Sequence, residues 1–286
     1  MKISDRCVIC KNFEIIKRPA ILMPFIADRV FGWKPFDLNK ELNLRSLKNG
    51  TVYSNVNSCY CELCHFLYLD MRFDNDEINK LYLNYRGQDY NNLRIKYEPD
   101  YKEMDNYLNN IYSINNRNET EYYLNDYFEI PSEILDWGGG DGRNTPFYGC
   151  EKIKIDIFDI AELNNANKSN VRFINMVNKK YKLITALHIF EHIPYPQDLL
   201  NKINEALELN GYIYIEVPFE KIMRKLTNPI SEKNHWHEHI NFYSPQSFIE
   251  LMSNSNFEII NVATKDISDD FRDFHIIRLL AKKIYE

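Results

Sequence analysis

The chain of 286 residues has no uninterrupted apolar stretch approaching the ~18–20 residues of a membrane-spanning helix. The longest candidate, Ala20 to Ala27, contains Pro24 and is stopped by Asp28. The first residues, Met1-Lys2-Ile3-Ser4-Asp5-Arg6-Cys7, lack the apolar core of a secretory signal, so a cytoplasmic location is expected. Basic residues are not in surplus. Lys and Arg number 35 against 41 Asp and Glu, a net charge of -6, so nucleic acid is not the expected partner. Glycine is scarce at nine residues, yet four of them fall at 138, 139, 140 and 142. With 44% hydrophobic and 27% charged residues, neither a disordered chain nor a collagen-like repeat fits.

Cysteine is also unevenly spread. Five of the six, Cys7, Cys10, Cys59, Cys61 and Cys64, lie in the first 64 residues. In a cytosolic chain such a cluster reads as metal ligands before disulfides. Cys7-x-x-Cys10 and Cys61-x-x-Cys64 form two knuckles able to give four thiolates to one tetrahedral zinc. Fifty residues separate the pairs, more than the usual ~15–20 of a zinc ribbon. Cys59 could replace one ligand, and a redox pair or unligated thiols are the other readings.

Three regions differ in pattern. Residues 1–73 have few helical stripes and read as a small, loop-rich module. In residues 74–129, Ile78, Leu81, Tyr82 and Tyr85 recur at helical spacing, with Asp74 or Asn75 as cap. Met104, Leu108, Ile111 and Tyr112 repeat that spacing. From residue 130 onward strands and helices alternate, which implies a parallel α/β sheet. Strands are expected at 133–137, 152–158, 171–174, 183–187 and 212–217, with two more at 257–263 and 274–280. A helix is expected from Pro196 to Leu209 with Gly211 as its stop, and another opened by Ser244 and Pro245.

The first of these strands runs into Asp136-Trp137-Gly138-Gly139-Gly140-Asp141-Gly142, and a helix is expected to follow. Glycines there let backbone N–H groups approach a ligand. The dinucleotide fingerprint Gly-x-Gly-x-x-Gly would put its third glycine at 143, which is Arg143. The spacing found, Gly138-x-Gly140-x-Gly142, resembles motif I of the class I S-adenosylmethionine-dependent methyltransferases. That resemblance implies a Rossmann-like α/β domain over residues 130–286. It places Asp136 beside the methionine part of the cofactor. Asp159 would hold the ribose hydroxyls, with Asp156 as the alternative, and Asn175 would lie near the adenine. Leu187-His188-Ile189-Phe190-Glu191-His192-Ile193-Pro194 looks like the Glu-His-x-x-x-Pro segment that follows the fourth strand of this superfamily, and Leu187 is counted with the cofactor site.

Three of seven histidines stand in His235-Trp236-His237-Glu238-His239. Alternate residues of an extended segment point the same way, so these three could line one face. A catalytic metal, a structural network and general-base work are the readings, and the zincin spacing is absent. The string resembles the aromatic-His-Glu-His segment of zinc-containing sugar methyltransferases. By that resemblance His239 is the base, Glu238 and His237 contribute, and His188 and His192 are polar groups of the facing loop. The same family carries an N-terminal module with two Cys-x-x-Cys pairs, which favours structural zinc on Cys7, Cys10, Cys61 and Cys64. It also likens Tyr85 to Tyr101 to a helical linker. There Tyr90 and Arg94, four residues apart on one face, could reach the cofactor carboxylate or an anionic substrate; an exposed helix with local pairing is the other reading.

The expectation is therefore an α/β, Rossmann-like class I methyltransferase domain (130–286) with an N-terminal zinc-binding module (1–73) and a helical linker (74–129). Its cofactor would be S-adenosylmethionine and its substrate a polar small molecule, a sugar or a nucleotide-linked sugar. The carbon-methylating relatives carry a further C-terminal domain, and this chain ends at Glu286, so oxygen or nitrogen methylation is expected at least as readily. A non-catalytic binding module on the same fold is the alternative. The sequence carries no signal for oligomeric state.

Overall fold

The computed structural model describes residues 1–42, 47–103, 112–161, 168–225, 228–253, 255–268 and 273–285. Among the described residues no helix is long and apolar enough to cross a membrane. Two sheets organise the chain. One takes strands β1 (Ile16–Leu22), β2 (Asn55–Cys61) and β3 (Phe66–Leu69). The other begins with β4 (Glu133–Trp137), β5 (Lys154–Phe158), β6 (Val171–Phe173), β7 (Tyr181–Leu187) and β8 (Leu207–Pro218). The chain then returns to the first sheet with β9 (His235–Trp236) and β10 (Asn241–Phe242), and finishes the second with β11 (Phe257–Ser268) and β12 (Asp273–Lys283).

The larger sheet runs in the order β6-β5-β4-β7-β8-β12-β11. Its first five strands are parallel; β4, β5 and β7 are largely buried on both faces, as their apolar runs require, while the edge strand β6 is partly exposed. The last two strands depart from the expected parallel arrangement. Both β8–β12 and β12–β11 pair antiparallel. Only residues 269–272 separate β11 from β12, too few for the crossover that parallel neighbours need. The order reverses between β4 and β7, where an open α/β sheet presents its ligand crevice.

Other expectations shift locally. The helix at Pro196 ends at Ala206, not Leu209. Gly211 lies inside β8, next to Asn210 at φ +64°, where the pairing with β7 changes register. No helix follows the glycine cluster. Residues 138–150 are a chain of tight turns, with Gly142 N–H on Gly139 O at 2.9 Å and Thr145 N–H on Gly142 O at 3.0 Å. Pro146 and Gly149 in this short connection oppose a helix.

Residues 1–73 are more regular than a loop-rich reading suggests, because β1, β2 and β3 form a five-stranded sheet in the order β9-β1-β2-β3-β10. Helix α1 (Pro24–Phe31) packs Phe25, Ile26, Ala27 and Val30 onto it. Helix α2 (Asn75–Tyr82) is capped by Asp74, whose side chain accepts from the Glu77 N–H at 3.0 Å while Glu77 accepts from the Asp74 N–H at 2.9 Å. It stops at Tyr82, so Tyr85 lies beyond it, and Asn84 and Arg86 take positive φ. Helix α3 (Gln88–Tyr97) follows, then α4 (Tyr112–Asn125); Met104, Leu108 and Ile111 lie outside the described residues. Helix α5 (Pro196–Ala206) buries Leu199, Leu200, Ile203 and Ala206 against the large sheet. Helix α6 (Pro245–Ser253) is capped by Ser244, whose hydroxyl accepts from the Ser247 N–H at 3.1 Å.

Arg72 joins the two sheets. Fully buried, it donates from Nε and Nη2 to Pro194 O at 2.9 and 2.6 Å, from Nη1 to Leu69 O at 2.8 Å, and from Nη2 to Asn241 Oδ1 at 2.7 Å. Burial lowers its pKa to about 10. Asn241 in turn donates to Phe190 O at 2.9 Å and Ile193 O at 2.6 Å, and the Ile240 N–H donates to Glu191 O at 2.8 Å. The loop after β7 is thus fixed to the smaller sheet by buried hydrogen bonds, each costly to lose.

Candidate active site

A cleft of about 1700 Å³ opens at the carboxyl ends of β4, β5 and β7. Its floor is the glycine loop. Asp136, Gly138, Gly139, Gly140 and Asp159 all line it, as does Leu187. Gly142 does not line it but supports it: a Cβ there would stand 2.7 Å from Ile157 Cδ1. The demand is equally tight at Gly138 and Gly139, where a Cβ would stand 2.4 Å from Ile189 Cδ1 and from Asp136 Oδ2 respectively, the latter held in place by its own hydrogen bonds. Such close backbone approach is what an anionic or polar ligand needs from this turn.

Asp136 is buried and accepts from the hydroxyls of Thr145 and Thr185, the latter at 2.7 Å. Burial outweighs these bonds and pushes its pKa up to about 6. Asp159, just past β5, accepts from the N–H groups of Gly140 at 2.8 Å and Ala161 at 2.7 Å, which leaves further acceptor capacity on both oxygens. Asp156 is elsewhere: Arg172, Tyr181 and Lys179 saturate it, and it does not line the cleft. Asn175 is exposed and outside the lining.

The opposite wall carries His188, Glu191, His192, Glu220, His237, Glu238 and His239. The three histidines of the 235–239 segment do not share one face. The chain bends at Glu238, leaving His235 exposed and outside the cleft while His237 and His239 face it. His239 Nδ1 lies 2.8 Å from Glu220 Oε1. Burial works against the imidazolium, but Glu220 and then Glu191 raise the pKa of His239. His192 holds the carbonyl of Glu238 with Nδ1 at 3.0 Å, and burial lowers its pKa. The two rings meet edge to face with centroids 4.8 Å apart. His188 sits at φ +54°, a conformation uncommon outside glycine, with Nε2 3.0 Å from Glu216 Oε1. Burial opposes its charge, yet Glu191 and Glu216 carry its pKa up to about 10.

Glu238 is buried among donors: the Tyr90 hydroxyl, Arg94 Nη1 at 3.0 Å, and His237 Nδ1 at 3.6 Å. These hold its carboxyl well below the usual carboxylate range against the opposing effect of burial. His237 also touches Glu98 Oε1 at 2.6 Å, and its pKa is raised, burial opposing and Glu238 and Glu98 winning. Tyr90 and Arg94 are therefore buried and turned onto Glu238. Arg94 lines the cleft and Tyr90 does not.

Cys7, Cys10, Cys61 and Cys64 converge, with their sulfurs all within 4.8 Å of one another. Cys7–Cys64 and Cys10–Cys61 are 3.6 and 3.5 Å apart, close to the ~3.8 Å edge of a tetrahedron with Zn–S bonds of ~2.3 Å. The residues fit a structural zinc ion. Cys59 is buried but outside the cluster.

Sequence reasoning left several cleft residues unassigned. Glu191 stands in the segment after the fourth strand with no role of its own, and no motif of the sequence includes Glu220. Lys233 is buried at the cleft over the Trp236 and Phe242 rings, and burial lowers its pKa to about 8. Nothing in its local sequence marks it. Tyr82 presents a buried hydroxyl that bonds to none of the described residues.

A methyltransferase domain family model matches residues 114–262. No curated protein matches the chain. Among solved structures, an S-adenosylmethionine-dependent methyltransferase from Methanosarcina mazei is similar at 15% identity and a TM-score of 0.44, covering 57% of this chain and 98% of its own. One from Aquifex aeolicus is similar at 17% identity and a TM-score of 0.42, covering 57% and 89%. A glycopeptide N-methyltransferase complexed with S-adenosyl-L-methionine is similar at 11% identity and a TM-score of 0.43, covering 59% and 95%. With the family match spanning more than half its length, the chain belongs to the methyltransferase domain family and has the Rossmann-like fold of the class I S-adenosylmethionine-dependent enzymes.

Proposed function

We propose that the protein transfers a methyl group from S-adenosylmethionine to a sugar, a nucleotide-linked sugar or a similar polar precursor of a surface glycan or secondary metabolite. One observation carries this reading. A single cleft is lined by the glycine loop with Asp159 on one side and by His192, Glu238 and His239 on the other. When bound, the cofactor supplies an electrophilic methyl group on a sulfonium. The chain must then orient the acceptor, exclude water and remove one proton.

In the metal-free chain we assign the proton to His239. Its Nδ1 is engaged by Glu220, which fixes the ring and leaves Nε2 as the proton acceptor. His188 is less suited, being clasped by Glu216 and Glu191. Glu238, with Tyr90, Arg94 and His237, positions the segment that carries His239. The aromatic groups Tyr82, Tyr85, Tyr101, Tyr195 and Phe242, with Lys233 among them, suit a polar ring that needs both flat apolar contact and hydrogen bonds. Residues 1–73 serve as the zinc-bearing module, 74–129 as linker and wall of the cleft, and 130–286 as the cofactor-binding domain. A reducing cytoplasm suits the four thiolates of such a module.

His239→Ala tests the assignment. Turnover with an accepted sugar nucleotide should fall by roughly 10²-fold or more, while affinity for S-adenosylhomocysteine stays near wild type. Full activity in that variant would remove His239 from the chemistry.

A further inference from the structure

Glu191 is 2% exposed and lines the cleft, yet neither of its carboxylate oxygens takes part in a hydrogen bond among the described residues. His188 Nδ1 at 3.7 Å and His192 Nε2 at 3.8 Å pair with it at ion-pair range, both beyond hydrogen-bond distance. Met among the described residues only by these long ion pairs, the buried carboxylate keeps acceptor capacity on both oxygens for a further partner. Beside it, one ring nitrogen of His192 and one of His239 complete a group of three donor atoms lying within 4.8 Å of one another.

The histidines are set for a shared ligand. His192 Nδ1 is engaged by the Glu238 carbonyl, and His239 Nδ1 by the Glu220 carboxylate. In each ring Nε2 is the nitrogen left over. This is the outer arrangement typical of metal-binding histidines, whose second nitrogen donates to a carbonyl or carboxylate that fixes ring and tautomer.

We propose that Glu191, His192 and His239 bind a first-row divalent cation, separate from the four-cysteine site. Two imidazoles and one carboxylate suit Fe²⁺, Co²⁺, Zn²⁺ or Mn²⁺ and leave coordination positions open toward the cleft. Donors ~2.1 Å from an ion stand ~3–4 Å apart, so side-chain rotations of about an ångström complete the site. The inference rests on the methyltransferase reading and deepens it. With the cation bound, the imidazoles activate the acceptor through the ion in place of His239 taking the proton. The ion binds the acceptor oxygen and lowers its pKa, the O–H bond breaks, the oxygen keeps the electron pair, and the proton leaves to water.

The test is a titration of the zinc-loaded full chain with Co²⁺, followed by visible absorption, beside a calorimetric titration with S-adenosylhomocysteine. The expected result is one Co²⁺ per chain with weak d–d bands and no thiolate charge-transfer band. Glu191→Gln and His192→Gln should each abolish those bands while zinc content and S-adenosylhomocysteine affinity stay as in wild type. A chain that binds S-adenosylhomocysteine but gives no such spectrum overturns the cation site alone. Bands unchanged in both variants overturn it too. A chain that gives the spectrum but does not bind S-adenosylhomocysteine contradicts the methyltransferase reading on which the ion's role rests.

Discussion

Arg94 Nη1 donates to Glu238 Oε2 at 3.0 Å, and this buried pair fastens helix α3 to the segment that carries His237 and His239. The same guanidinium reaches Glu98 at 3.1 Å, so α3 and the bend at Glu238 share one charge network. Removing one partner leaves a buried, uncompensated charge. Arg94→Met should therefore lower unfolding free energy by about 3–5 kcal/mol. Urea denaturation of variant and parent checks this, and a loss under about 1 kcal/mol would mean the network is not structurally important.

The glycine loop makes a second expectation specific. Motif spacing singles out positions 138, 140 and 142, but the tightest clash with a fixed neighbour lies at Gly139, against Asp136. Gly139→Ala should weaken S-adenosylhomocysteine binding at least about tenfold, or ~1.4 kcal/mol. Calorimetry reads the affinity. Unchanged binding would place the cofactor away from this turn.

Asp136 gives a stability expectation with a definite sign. Its folded pKa of about 6 stands above the ordinary 3.8, burial being the main cause and Asp159 adding to it. The folded chain thus keeps a proton that the unfolded chain releases between those values. This contribution is most favourable below pH ~4 and is lost as pH rises through ~6, by about 2–3 kcal/mol in all. Asp136→Asn lacks it. Thermal melts of the cofactor-free proteins should show the variant gaining on wild type between pH 4.5 and 7. A difference that does not change with pH would contradict the burial argument.

The four-cysteine cluster predicts about one tightly held zinc per chain. Cys61→Ser should lose most of it and lower the melting temperature, because metal binding and folding are linked. Elemental analysis after gel filtration gives the answer. Native zinc content near zero in a folded chain would leave the cysteines as buried thiols.

Much of the architecture was legible in the sequence because it rests on local pattern. Alternating isoleucines and the apolar run at 183–187 mark the parallel strands, and Asp74 and Ser244 mark helix starts. What the sequence hid depends on distant partners. The return of residues 235–242 to the N-terminal sheet is set by pairing of His235 with Ile21 and Asn241 with Tyr68, which no local period encodes. The missing helix after Gly142 reflects turn geometry in a short connection. Glu220 gains meaning only once the fold brings it to His239, and Arg72 only once Pro194 lies beside it.

Cofactor use in the cleft above the glycine loop underlies each of these roles. Its most direct test is a calorimetric titration of the purified, zinc-replete chain with S-adenosylhomocysteine, with NADH as control. Saturable binding at about one site per chain, absent with NADH, is the expected result. No binding by well-folded protein would contradict the account and leave the cleft to another ligand.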